Sequence, residues 1–138
     1  KADQITEMRL NIWKRYHEAL SDMEEKGAIK RMVVPDGCKN NGHMFYLLFN
    51  ESVQRNFFID AMKKAEVYCT FHYIALHSTE MGKKHCKVVG EMRNTESLSA
   101  RLVRLPLYAG MTDQELDHVL EYTISSIEDI VLSTSVLV

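Results

Sequence analysis

Ile5, Met8, Ile12, Tyr16, Leu20 and Met23 recur every three or four residues, and this spacing constrains the chain more than any other feature. On an α-helix such positions share one face, so the spacing predicts an apolar stripe about six turns long, widened by Trp13 and closed by Gly27. A stripe of that length has to be covered. The chain has 138 residues, 46% of them hydrophobic and 26% charged, so one compact core is expected to bury most of it. A second expectation is that part of the stripe packs on a partner, because large exposed apolar patches mark interaction surfaces. The helical pattern runs from Lys1 without an initiator methionine, which reads as a cut inside a longer protein.

Residues 35–42 collect Pro, Asp, Asn and Gly and read as a loop. His43 to Phe49 then reads as a buried strand. Ser52 to Ala65 carries Val53, Phe57, Phe58, Ala61, Met62 and Ala65 on one side, as a helix lying on a sheet requires. Val67 to Phe71 is a second predicted strand, rich in β-branched and aromatic side chains. The stretch from His72 to Arg93 has no clear period and is long for a connection in a compact domain, which marks it as a place to look for function. Leu98, Leu102 and Leu105 predict a third helix stopped by Pro106. Thr112 and Glu115 form a capping box opening a fourth, whose buried face is Leu116, Val119, Leu120, Ile127 and Ile130. The order predicts an α+β fold: a small, mostly antiparallel sheet covered by helices, with the N-terminal helix over 1–26 and the body over 27–138.

Several function classes are disfavoured. The formal charge of −2 comes from 17 basic and 19 acidic residues mixed along the chain, so no field exists to hold a nucleic acid. No apolar run approaches the roughly 20 residues a membrane helix needs, and no signal-peptide core opens the sequence. The cysteines, Cys38, Cys69 and Cys86, form no CxxC pair and fit a reducing compartment, with the cytoplasm expected. His72, His77, His85 and Cys86 match no zinc spacing, so no metal is expected, and the glycines fit no phosphate-loop pattern.

The densest chemical cluster is residues 71–77, where His72, Tyr73 and His77 follow a predicted strand. Imidazoles and a phenol can donate to sugar hydroxyls or phosphate oxygens, and imidazoles shuttle protons near neutral pH. They can equally cap the strand with satisfied hydrogen bonds, and spacing alone does not decide. Asn41 and His43, at the mouth of the preceding strand, could face the same cleft, although a histidine there also serves structure.

The words Asn41 to Tyr46, Phe71 to Ser78, Arg104 to Tyr108 and Met111 to Glu115 occur in one order with helix-sized gaps. Together they resemble the sugar aminotransferases of the DegT/DnrJ/EryC1/StrS family, and the opening helix with Arg9, Trp13 and Tyr16 is similar to the one that leaves that family's large domain. The resemblance implies the C-terminal small domain of a fold type I enzyme. In such an enzyme pyridoxal phosphate takes an amino group from glutamate and passes it to a keto-sugar nucleotide. The words around His43 and His72 look closest to the branch that aminates dTDP-4-oxo-6-deoxyhexoses during surface-polysaccharide synthesis. The resemblance further implies a homodimer, a reactive lysine in the large domain, and a fragment that is inactive and binds no cofactor by itself. It places His72, Tyr73 and His77 on the substrate side of the cleft, with Ser78 and the loop to Arg93 at its border. Ala75 departs from the proline usual at that place, so the loop loses one backbone constraint. The rival expectation is a free-standing α+β binding or interaction module without a cofactor.

Overall fold

The computed structural model describes residues 1–135 and is α+β, with a four-stranded antiparallel sheet in the order β1-β2-β4-β3. Helix α1 (Ala2–Ala19) is followed after Leu20 by a short α2 (Ser21–Glu25), so the predicted helix is interrupted at Leu20. Next come β1 (Ile29–Arg31), β2 (Phe45–Phe49), α3 (Ser52–Lys64), β3 (Thr70–Phe71), a 3-10 turn at Leu76–Ser78 and α4 (Glu80–His85). The chain continues through α5 (Arg93–Arg101), β4 (Leu102–Leu105) and α6 (Asp113–Ser135).

Side chains alternate across a strand, and this period of two sets the layers. Phe45, Leu47 and Phe49 of β2 are buried, as are Val103 and Leu105 of β4 and Ile29 of β1. Register pairs them directly, Phe45 opposite Leu105, Leu47 opposite Val103 and Ile29 opposite Phe49. They join Tyr16 and Leu20 from α1 and its exit, Phe58 and Met62 from α3, and Leu116 and Ile127 from α6 in one core. Ring pairs tie the layers, with Tyr16 5.3 Å from Phe45 and Phe49 5.1 Å from Phe58 between centroids. Burying each such ring contributes about 1.5–3 kcal/mol. The opposite sheet face carries Tyr46, Leu48, Leu102 and Arg104, each half-buried.

The stripe of the first helix splits along its length. Ile12, Tyr16, Leu20 and Met23 are buried, whereas Ile5 is 42% and Met8 52% exposed. The far end is pinned: Arg31 binds Glu24 through its backbone N–H at 2.8 Å and its Nε at 2.7 Å, and also reaches the carbonyl of His17. At the near end Gly42 lies against the backbone of α1. A Cβ there would stand 2.9 Å from the Arg9 carbonyl carbon and the Leu10 nitrogen, and its φ of 62° already favours glycine.

Three expectations need correction. Leu102–Leu105 is not the end of a helix but an interior strand, paired with β2 on one side and β3 on the other, and α5 stops at Arg101. The leucine spacing satisfies a helical period, yet the buried Val103 and Leu105 alternate with Leu102 and Arg104, and two neighbouring strands supply the hydrogen bonds that decide. The strand predicted over Val67 to Phe71 pairs only at Thr70–Phe71, although Val67 and Cys69 are buried. The segment from His72 to Arg93 is not one loop, since it folds the 3-10 turn and α4 on the way. The capping box stands: Glu115 accepts the Thr112 N–H at 2.8 Å, and Thr112 Oγ1 accepts the Glu115 N–H at 3.2 Å.

Candidate functional site

β3 ends at Phe71 and the chain leaves the sheet at His72 and Tyr73, beside Arg104 of β4. Register puts Arg104 between Tyr46 of β2 and Thr70 of β3 on the face opposite the core. The imidazole of His72 meets the Tyr73 ring edge-on, with centroids 4.6 Å apart, and the guanidinium carbon of Arg104 lies 5.8 Å from the centroid of that ring. A cation at that distance from a phenol face gains about 0.5–1 kcal/mol and holds the ring in place.

Two polar atoms at this junction are buried without a partner among the described residues, Nδ1 of His72 and Nε of Arg104. His72 is held below the usual imidazole range, first by burial and then by the charges of Arg104 and His43, so its neutral form prevails near pH 7. His43 belongs to the same electrostatic neighbourhood. Its Nδ1 lies 2.8 Å from Asn41 Oδ1, a bond that fixes an otherwise exposed ring at the entrance to β2.

The structure therefore brings together His72, Tyr73 and His43, with Asn41 orienting His43. His77 stands apart from them. Its Nε2 is 3.0 Å from Glu96 Oε1, tying the 3-10 turn to α5. A groove of about 240 Å³ lies beside Tyr73, lined by that ring with Ala75, Ser78, Arg55, Glu96 and Ser99. Gly82 fixes the floor of this segment, because a Cβ there would stand 1.9 Å from the carbonyl oxygen of Leu76.

Arg104 is the residue that sequence reasoning missed, since it fell within a predicted helix. The signal was a lone charge alternating with apolar residues over Leu102 to Leu105, the pattern of a strand with one polar face. Among the described residues no group of three or more His, Cys, Asp or Glu could hold a metal ion, and no helix is long and apolar enough to cross a membrane.

A model of the DegT/DnrJ/EryC1/StrS aminotransferase family matches residues 1–123. The chain belongs to this family. As a DegT/DnrJ/EryC1/StrS member it is 28% identical over 120 residues to the uncharacterized protein MJ1066 of Methanocaldococcus jannaschii, covering 84% of this chain and 30% of that protein. Among solved structures, the aminotransferase TlmJ of Streptoalloteichus hindustanus superposes with a TM-score of 0.82 at 18% identity, over 94% of this chain and 33% of its own. Spr1654 of Streptococcus pneumoniae, assigned as a sugar aminotransferase and solved in its PMP form, gives 0.77 at 18% identity, over 95% and 33%. At these identities the two structures show a shared fold. The chain spans about a third of the length of the relatives it matches.

A covalent cofactor site would need a sheltered lysine. Every lysine of the chain is exposed, including Lys63 and Lys64 on α3 and Lys83, Lys84 and Lys87 around α4. An amine in open solvent has no pocket to hold a covalently attached cofactor against it. The residues of this chain do not fit the attachment of pyridoxal phosphate, whereas the neutral imidazole, phenol and unpaired guanidinium fit the recognition of a polar, oxygen-rich ligand.

Proposed function

We propose that the chain is the small C-terminal domain of a pyridoxal-phosphate-dependent aminotransferase that moves an amino group from glutamate to a nucleotide-linked keto-sugar. Its α1 would lead from a large domain that holds the cofactor. The single observation that supports this most is the junction of His72, Tyr73 and Arg104 at the sheet edge, found in a chain whose family and fold are those of aminotransferases. The exposed Ile5 and Met8 are consistent with a first helix that continues onto further protein. The finer reading is a dTDP-4-oxo-6-deoxyhexose as acceptor, in surface-polysaccharide synthesis, by a cytoplasmic homodimer.

The work of this chain is binding and orientation. The Tyr73 hydroxyl and the neutral His72 ring each offer a hydrogen bond to a sugar hydroxyl, and the packing of imidazole, phenol and guanidinium restricts how the sugar can lie. His43, fixed by Asn41, extends this polar wall, and Ser78 borders the groove together with Glu96, the partner of His77.

The test uses the full-length enzyme and single-turnover kinetics of each half-reaction. His72→Ala and Tyr73→Phe are expected to slow amination of the nucleotide sugar by a few-fold to about tenfold, the worth of one hydrogen bond of about 0.5–1.5 kcal/mol. The glutamate half-reaction and the cofactor's absorbance should stay near wild type. Equal losses in both halves would point to a damaged fold, and no loss in either would leave both residues as strand caps.

A further inference from the structure

Arg15, Arg31, Arg55, Arg93 and Arg101 each bind a carboxylate or a carbonyl, which is the usual state of a guanidinium in a folded chain. Arg9 and Arg104 depart from that pattern, and of the two only Arg104 has a buried guanidinium nitrogen. Arg104 stands half-buried on an interior strand, has no acceptor among the described residues, and keeps its Nε shielded from water. Beside it the Nδ1 of His72 is buried and unpartnered as well. Two adjacent unmet polar atoms are costly, because each has given up water without gaining a bond. A single ligand with several acceptor oxygens would satisfy both.

We propose that Arg104 and His72 together form an oxyanion hook on the face of the sheet away from the core, with Arg104 as the anchoring charge. The ligand chemistry is that of a diphosphate or a carboxylate. A guanidinium offers a planar fork of donors that matches either group, and an N–H on Nδ1 of a neutral imidazole adds a donor at the edge. Tyr73 braces the fork from one side through its ring. Because the pair lies where β3 and β4 meet the exit of the chain, an anion bound there would hold the rest of its molecule over Tyr73 and the adjoining groove. This inference rests on the reading of the chain as a substrate-side wall. Under that reading the anion is either the diphosphate of the nucleotide sugar or a carboxylate of the amino donor.

The experiment uses the cofactor-loaded full-length protein and calorimetric titration with inorganic pyrophosphate, thymidine diphosphate, thymidine and glutamate. Arg104→Met and Arg104→Lys are compared with wild type, and each variant is melted without ligand. Arg104→Met is expected to weaken thymidine diphosphate and pyrophosphate about tenfold to hundredfold while leaving thymidine unchanged, and Arg104→Lys should recover part of the loss. A loss confined to glutamate supports the same hook with the carboxylate as its ligand. The unliganded Arg104→Met protein should melt close to wild type, since removal of an unmet donor offsets the lost contact with the Tyr73 ring. Two results overturn the hook: unchanged affinity for all the anions, or a melting temperature in Arg104→Met that falls well beyond what loss of the Tyr73 ring contact explains, which means the rest of the protein already satisfies the arginine. Pyrophosphate separates this inference from the functional reading. Arginine-dependent pyrophosphate binding in a protein that transaminates no sugar sustains the hook alone, and sugar transamination with Arg104-independent binding sustains the function alone.

Discussion

Tyr16 offers the sharpest test of how the first helix is held on the body. Its side chain is fully buried, its ring packs 5.3 Å from Phe45, and its hydroxyl donates to the carbonyl of Pro106 at 2.7 Å, just beyond the end of β4. Tyr16→Phe keeps the ring and removes one oxygen, leaving the Pro106 carbonyl without that donor in a place with little water. The expected cost is about 1–2 kcal/mol. For a chain of 138 residues, each kcal/mol lowers the melting temperature by about 3–5 °C, so a fall of about 3–10 °C follows. Tyr16→Ala removes the ring too and should cost about 3–5 kcal/mol, a large share of a small domain's stability. Urea unfolding followed by circular dichroism measures both, with the slope unchanged if only the folded state is affected. If Tyr16→Phe unfolds with wild type while Tyr16→Ala does not, the hydroxyl bond carries no weight. If both match wild type, the helix is not held through this residue at all.

Two further perturbations probe other parts of the fold. Gly82→Ala forces a methyl onto the carbonyl of Leu76, so the 3-10 turn and α4 must separate, at about 1–3 kcal/mol; hydrogen exchange should accelerate across residues 76–85, and unchanged exchange would refute the contact. Alkali should destabilise the chain, because burial raises both the Cys69 thiol, from 9.0 to about 12, and the Tyr16 hydroxyl above its ordinary 10.0. Groups whose folded pKa is raised contribute fully below the unfolded value and lose that contribution as pH climbs toward the folded one, so urea midpoints should hold up to about pH 9 and fall beyond it. A flat profile to pH 11 would mean that neither group is sheltered.

Much of the fold was legible because its signals are local. The helix expected over Ser52 to Ala65, which ends at Lys64, and the Thr112–Glu115 cap rest on spacings within one element, and the stripe from Ile5 to Met23 is there too, interrupted at Leu20 and buried from Ile12 on. The failures share a cause. Residues 102–105 read as the end of a helix because α5 runs directly into β4 without a break in composition, and only pairing with β2 and β3 on both sides makes the segment a strand. β1, three residues long, passed unnoticed for the same reason: Ile29–Arg31 has too few positions to show alternation, and its place is set by β2 and by the grip of Arg31 on Glu24.

The candidate site divides along the same line. His72 and Tyr73 stood out as adjacent polar rings after an apolar strand, and His43 with Asn41 as polar residues at a strand mouth, so the residue types alone flagged them. What they surround could not be read that way. Arg104 follows Tyr73 by 31 positions, and it reaches that ring because β4 is inserted between β2 and β3 in the sheet. The insertion has a physical consequence: an interior strand exchanges hydrogen bonds on both sides, which makes Arg104 a rigid mounting for a charge, whereas His72 and Tyr73 sit where the chain leaves the sheet. A fixed cation beside two more adaptable polar rings suits a ligand whose charged part must be held in one place while its hydroxyls are accommodated. His77 shows the converse. It shares the local word with His72, yet its side chain bonds Glu96 and ties the turn to α5, so neighbours in sequence take different places in the fold.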